Sequence, residues 1–155
     1  MSTKASTPME WVGIDVCKTK LDVYILSDKT YRVFENTEDG IAELIVWLQS
    51  YSEVGAVCEA TGGYEAEMAR QLYASGMHVS VVNPRPVRDL ARALSKLAKT
   101  DPIDAYVIAK YGEVTEPAPT VVASEVADEL KQWVTRRQQV VEILSAEKNR
   151  RTLLP

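Results

Sequence analysis

Residues 11–26, Trp11-Val12-Gly13-Ile14-Asp15-Val16-Cys17-Lys18-Thr19-Lys20-Leu21-Asp22-Val23-Tyr24-Ile25-Leu26, decide the fold. Both ends are rich in β-branched, aromatic and other apolar residues, and the break between them is short and polar. The stretch therefore reads as two antiparallel strands joined by a tight turn. Tyr31-Arg32-Val33-Phe34-Glu35-Asn36 follows the Ser27-Asp28-Lys29 turn as a third strand, so the chain opens with an antiparallel meander. At Thr37-Glu38-Asp39-Gly40 the period changes. Ile41, Leu44, Ile45 and Leu48 then recur at helical spacing up to about Ser50. Val54-Gly55-Ala56-Val57-Cys58-Glu59 reads as a buried strand closed by Thr61-Gly62-Gly63. Residues 64–75 read as a helix stopped by Gly76, and His78-Val79-Ser80-Val81-Val82 as a strand ending at Asn83-Pro84. Strands that alternate with helices after a meander predict an α/β mixed sheet with helices on its faces.

Residues 85–98 and 102–113 predict two more helices, and Glu116-Pro117-Ala118-Pro119 a linker. The expected organisation is a flexible N-terminus over 1–10, one α/β domain over 11–114, a Pro-containing hinge over 115–123 and a long helix over 124–155. In that helix Val126, Leu130, Trp133, Val140 and Leu144 form a heptad-like seam, which Arg137 interrupts. A lone amphipathic helix cannot bury such a stripe by itself, so it packs on the domain or pairs with another chain. Pairing, as a coiled coil in a homodimer or higher oligomer, is the preferred expectation. The chain stops at Leu153-Leu154-Pro155 without a helix cap, as if cut from something longer.

With 155 residues, 46% hydrophobic and 26% charged, the composition fits one globular domain and excludes a disordered tail. No apolar run approaches the roughly 18 residues that span a bilayer. The polar N-terminus carries no hydrophobic signal region, so no membrane association and a cytoplasmic location are expected. Cys17 and Cys58 are too few for a disulfide framework and lack metal-site spacing, which fits a reducing compartment. The formal charge of −4 excludes a whole-surface attraction for nucleic acid, but the balance is uneven. Residues 85–110 carry a net +3 and residues 131–151 a net +4, so a polyanion is expected there. Arg85, Arg88, Arg92, Lys96, Lys99, Arg136 and Arg137 are the candidate contacts; the same residues also suit solvated helix faces.

The carboxylates form a second pattern. Asp15 lies inside an apolar strand, where an unpaired carboxylate is expensive. Glu59 stands at the carboxyl end of another strand, where ligands collect in α/β sheets. Asp101 and Asp104 are three apart at a helix start and share nearly one face. Pattern alone favours reading them as caps, with Asp101 the N-cap, Pro102 the first helical residue and Asp104 the N3 partner, though capping by Asp101 leaves Asp104 able to serve as a ligand. Four converging carboxylates need a cation, and all-oxygen ligands favour Mg²⁺ or Mn²⁺, the usual partners of phosphate oxygens in phosphoryl transfer.

Several of these segments resemble, in order, the N-terminal DEDD domain of the Piv-like transposases of the insertion-sequence 110/1111 group. They are Val12-Gly13-Ile14-Asp15-Val16 with Lys18 and Leu21-Asp22-Val23, Glu59-Ala60-Thr61-Gly62-Gly63-Tyr64, Val81-Val82-Asn83-Pro84 and Lys99-Thr100-Asp101-Pro102-Ile103-Asp104-Ala105. The resemblance continues into Glu129-Leu130 and Ala146-Glu147-Lys148-Asn149-Arg150. It implies an RNase H-like, RuvC-type fold in which Asp15, Glu59, Asp101 and Asp104 match the acidic tetrad and bind divalent metal. It also implies a recombinase that cuts and transfers DNA strands of a mobile insertion sequence, guided in some members by a structured bridge RNA. A serine proposed as the nucleophile belongs to the family's C-terminal domain, which is not expected within these residues, so no nucleophilic serine is assigned. The chain is accordingly expected to be incomplete for activity by itself. Pro102, and Cys17 where serine is usual, depart from the family pattern. Two other classes compete. A non-catalytic dimerisation and RNA-binding module would use the last helix. An actin-like sugar or acid kinase would need a glycine in its first phosphate loop, which Asp15-Val16-Cys17-Lys18-Thr19 lacks.

Overall fold

The structure, a computed structural model, describes residues 9–94, 101–120 and 125–151. Three strands come first: β1 (Glu10–Val16), β2 (Lys20–Ile25) and β3 (Thr30–Glu35). Helix α1 (Glu38–Leu48), β4 (Val54–Glu59), α2 (Ala66–Ala74) and β5 (His78–Val82) alternate after them. Helices α3 (Pro84–Ala93), α4 (Asp101–Thr115) and α5 (Glu125–Arg151) complete the order. The strands make one sheet in the order β3-β2-β1-β4-β5. The β1–β2 and β2–β3 pairs are antiparallel, and the β1–β4 and β4–β5 pairs are parallel. The meander and the mixed α/β sheet expected from the periodicity are both present.

Alternation along the strands sorts side chains onto two faces. Val12, Ile14 and Val16 of β1 join Leu21, Val23, Ile41, Leu44, Cys58, Met68 and Leu72 in one core, beneath α1 and α2. Trp11 and Val57 point the other way and pack with Val87, Val107 and Ile108 of α3 and α4. Gly13 sets the spacing on this second face. A Cβ there would stand 2.0 Å from the Ala105 carbonyl oxygen and 2.3 Å from the Ala109 nitrogen, so α4 lies against β1 at a separation only glycine allows.

The helix starts follow local chemistry. Thr37 caps α1, its Oγ1 accepting from the Gly40 amide at 3.2 Å. Asn83 caps α3, its Oδ1 accepting from the Arg85 amide at 2.9 Å, with Pro84 at the first helical position. The expected continuation of α3 to residue 98, with Lys96 and Lys99, lies outside the described residues. So do residues 1–8, 121–124 and 152–155. Helix α4 opens at Asp101, one residue before the expected start. Residues 117–120 run beside β5: Thr120 donates its amide to the Val79 carbonyl at 2.8 Å, and its Oγ1 accepts from the Val81 amide at 2.8 Å. Ser80 Oγ donates to the carbonyls of Pro117 and Ala118 at 3.1 and 3.0 Å, so this segment satisfies an edge that would otherwise be open.

Residues 122–155 form a unit of their own. Helix α5 is a continuous stretch of 27 residues, and its described side chains are all exposed, including Val126, Leu130, Trp133, Val140 and Leu144. Among the described residues no helix is long and apolar enough to cross a membrane.

Candidate metal centre

Strand order and register bring the predicted carboxylates towards one place. Ile14 of β1 pairs with Cys58 of the parallel β4, so the next step along the ladder sets Asp15 beside Glu59 at the carboxyl ends of neighbouring strands. Both are half-buried. Asp15 shares the face of Gly13, and Glu59 the face of Val57, which is the side covered by α4. Helix α4 crosses β1 at Ala105, and the half-buried Asp104 immediately precedes that crossing. Asp101 begins the same helix; its side chain lies outside the described residues.

Among the described residues, the group that could hold a metal at close spacing is Asp15, Cys17 and Asp22, one ligand atom from each lying within 4.8 Å of the others. Glu59 and Asp104 join no such group of three among the described residues, which leave out the Asp101 side chain. Asp22 sits directly opposite Asp15 in the β1–β2 ladder, so two carboxylates face one another across the pair. Asp22 is completely buried. Its Oδ1 accepts the Tyr31 hydroxyl at 2.5 Å and a weaker bond from Lys20 Nζ at 3.4 Å. The same ammonium stands 3.0 Å from Oδ2 as an ion pair, yet Oδ2 receives no hydrogen bond. The sequence reading of the site left Asp22 out. The signal that singled out Asp15, an aspartate inside an apolar strand, is repeated in Leu21-Asp22-Val23.

The surrounding loops are held by two polar side chains that sequence reasoning also missed. Glu65 bends back over Thr61-Gly62-Gly63, its Oε2 accepting the amides of Thr61 at 3.2 Å and Gly63 at 3.0 Å, and the Thr61 hydroxyl. Gly62 and Gly63 both have positive φ, a shape that admits this close return of the chain. Burial works to raise the Glu65 pKa, but the bonds from Thr61 and Gly63 outweigh it and hold the carboxyl below its usual value. Asn36 Nδ2 donates to the carbonyls of Cys17 at 2.9 Å and Tyr64 at 3.1 Å, tying the β1–β2 turn to the loop beyond Glu59.

The two thiols lie on opposite faces and neither is in a disulfide. Cys17 is exposed, whereas burial, followed by the charges of Glu65 and Glu59, pushes the Cys58 thiol up to about 12. Of the predicted nucleic-acid contacts, Arg85, Arg88 and Arg92 are exposed along one side of α3, with Arg92 3.3 Å from Asp89. Arg136 and Arg137 are exposed on α5.

The donors suit a hard divalent cation. Carboxylate oxygens dominate, the only soft donor is the Cys17 sulfur, and the buried Asp22 Oδ2 is an acceptor that no hydrogen bond satisfies.

The sequence pattern of the DEDD transposases of the insertion-sequence 110 type, a family described as a transposase, matches residues 12–154. Two curated relatives are similar: the pilin gene-inverting proteins of Moraxella lacunata and Moraxella bovis, each 32% identical over 113 residues. That segment is 69% of this chain and 35% of each relative, so the match spans about a third of their length.

Proposed function

The chain belongs to the insertion-sequence 110 family of DEDD transposases, and on that premise we propose that it supplies the metal-dependent catalytic centre of a DNA recombinase that cleaves and transfers strands of a mobile element. The observation that carries this reading is the family match over residues 12–154, joined to the placement of Asp15 and Glu59 on adjacent strand ends beneath α4. An RNase H-like fold of the RuvC type is supported by the strand order β3-β2-β1-β4-β5 with its antiparallel start.

Asp15, Glu59, Asp101 and Asp104 are the proposed ligands for Mg²⁺ or Mn²⁺. Such an ion, when bound, polarises phosphate oxygens and helps to activate a nucleophile on the phosphodiester. The protein's own part is positional. Rigid strands hold Asp15 and Glu59, α4 delivers Asp104 across Gly13, and Glu65 and Asn36 fix the loops on either side. Arg85, Arg88 and Arg92, with Lys96, Lys99, Arg136 and Arg137, are proposed to neutralise phosphates of DNA and of a bridge RNA guide. Helix α5 is proposed to pair with a second copy as a coiled coil, because its exposed apolar seam has no cover within its own unit. A cytoplasmic location follows from this role on DNA.

The test is Mn²⁺ titration by calorimetry on the wild-type chain and on Asp15→Asn, Glu59→Gln and Asp104→Asn, with circular dichroism confirming each fold. Binding by the wild type that is lost in the three folded variants supports one shared site. Variants that bind as tightly as the wild type would show these carboxylates to be structural and overturn the assignment.

A further inference from the structure

We propose that Asp22 is an additional cation-binding carboxylate of this centre, and that the Lys20 ammonium holds the cation's place while the metal is absent. The inference rests on the metal-dependent reading above and adds to it a fifth carboxylate and a displaceable charge.

Three observations carry it. First, Asp22 faces Asp15 across the ladder, and one oxygen of each lies within 4.8 Å of the other and of Cys17 Sγ. Two like charges at such a position destabilise the strand pair unless a cation lies between or beside them. Second, the buried carboxylate is only half used. Tyr31 fixes Oδ1 at 2.5 Å, whereas Oδ2, also buried, receives no hydrogen bond and stands 3.0 Å from the ammonium. A purely structural buried aspartate is expected to satisfy both oxygens. Third, the two members of the ion pair differ in freedom. The Asp22 side chain is wholly buried, while the Lys20 side chain is 38% exposed at the end of a long stem, so its ammonium reaches solvent where the carboxylate does not. A buried oxygen opposed by a partly exposed ammonium is the arrangement expected where a tighter cation is to enter.

The pairing also suggests how the site stays folded without metal. One ammonium set against Asp22 lowers the cost of holding the two carboxylates close, and its departure leaves Oδ2 directed at an incoming ion.

The experiment is Mn²⁺ calorimetry on the full chain, comparing wild type with Lys20→Met and Asp22→Asn, with Asp15→Asn as the reference loss. If Asp22 is a ligand, Asp22→Asn weakens Mn²⁺ binding by about tenfold or more, the range expected when a carboxylate of a metal centre is removed. If Lys20 competes for the site, Lys20→Met tightens binding severalfold, and the wild-type affinity difference from Lys20→Met reflects the displaced ammonium. A merely structural lysine would not produce that gain. Should Asp22→Asn lose its fold by circular dichroism, Lys20→Met decides alone: tightening supports the proposal, and unchanged or weaker binding overturns it. If Asp15→Asn abolishes binding while Asp22→Asn and Lys20→Met both match the wild type, this inference fails and the proposed function stands. If the wild type itself binds no Mn²⁺, both fail.

Discussion

Gly13→Ala tests the contact that brings α4 onto the candidate centre. A Cβ at this position would lie 2.0 Å from the Ala105 oxygen, 2.3 Å from the Ala109 nitrogen and 3.0 Å from the Ala109 Cα. All three are backbone atoms of α4, so no rotamer change relieves the clash. Ordinary contact begins near 3.4 Å, so α4 must retreat by about 1.4 Å or tilt about one end. Overpacking of this kind destabilises by roughly 1–3 kcal/mol, and the lack of a side-chain escape favours the upper part of that range. Replacing a strand glycine returns about 0.5–1 kcal/mol through chain entropy, which leaves a net loss of about 2 kcal/mol. For a unit of this size the melting temperature should then fall by roughly 5–10 °C. The functional effect is expected to be larger. Asp104 adjoins the displaced Ala105, and a shift above 1 Å exceeds the roughly 0.5 Å tolerance of a preorganised site. Urea denaturation followed by circular dichroism measures the first effect, and Mn²⁺ calorimetry on the folded variant measures the second. A variant within about 0.5 kcal/mol of wild type, binding Mn²⁺ equally well, would refute the claim that α4 rests on β1 at Gly13.

Three further outcomes are expected. In the native protein a thiol reagent such as dithionitrobenzoate should titrate Cys17 rapidly and Cys58 only after denaturation, because Cys58 is buried and pushed up to about 12; two fast thiols would refute the buried placement. Glu65, held below its usual value in the folded state, contributes stability that is present above the unfolded carboxyl pKa of about 4.3 and lost as pH falls through its folded value. The stability gap between wild type and Glu65→Gln should therefore narrow in acid, and a gap constant from pH 7 to pH 3 would contradict the brace. Sedimentation should show a dimer that dissociates when Leu130 and Leu144 are both changed to Lys, whereas a monomeric wild type would dispose of pairing through α5.

How much of this was legible in the sequence depended on the range of the interaction concerned. Period two in residues 11–26 and period 3.6 from Ile41 to Leu48 are local, and both elements formed with ends within a residue or two of expectation. Pro84 and Asn83, or Thr37 and Gly40, also signal within one turn, so the starts of α1 and α3 could be read directly. Asp15 and Glu59 were legible as carboxylates among apolar neighbours. Asp22 carried the same signal, but its meaning lies in the register with Asp15, which no single strand reveals. Glu65 falls within residues 64–75, whose helical pattern carries no sign of its role, which is to accept amides from a glycine loop whose shape depends on positive φ. Gly13 is the contact surface for a helix about ninety residues later in the chain, a partner that nothing local to its strand signals.

That register also explains why the centre can be built on two adjacent strands at all. The side-chain period of a strand is two, so a slip of one residue between β1 and β2 would move Asp22 from the face of Asp15 to the opposite core. There its charge would lie in the apolar core that holds Leu44 and Met68, away from Asp15. The Cys17-Lys18-Thr19 turn prevents this, with the Cys17 amide closing on the Lys20 carbonyl at 2.9 Å and the Asn36 amide on that of Thr19 at 3.0 Å. Asn36 fastens the same turn to Tyr64 through its side chain. The bonds that hold the meander in register are therefore the ones that keep Asp15 and Asp22 face to face. The metal binding proposed for this site and the folding of the first three strands therefore cannot be varied independently.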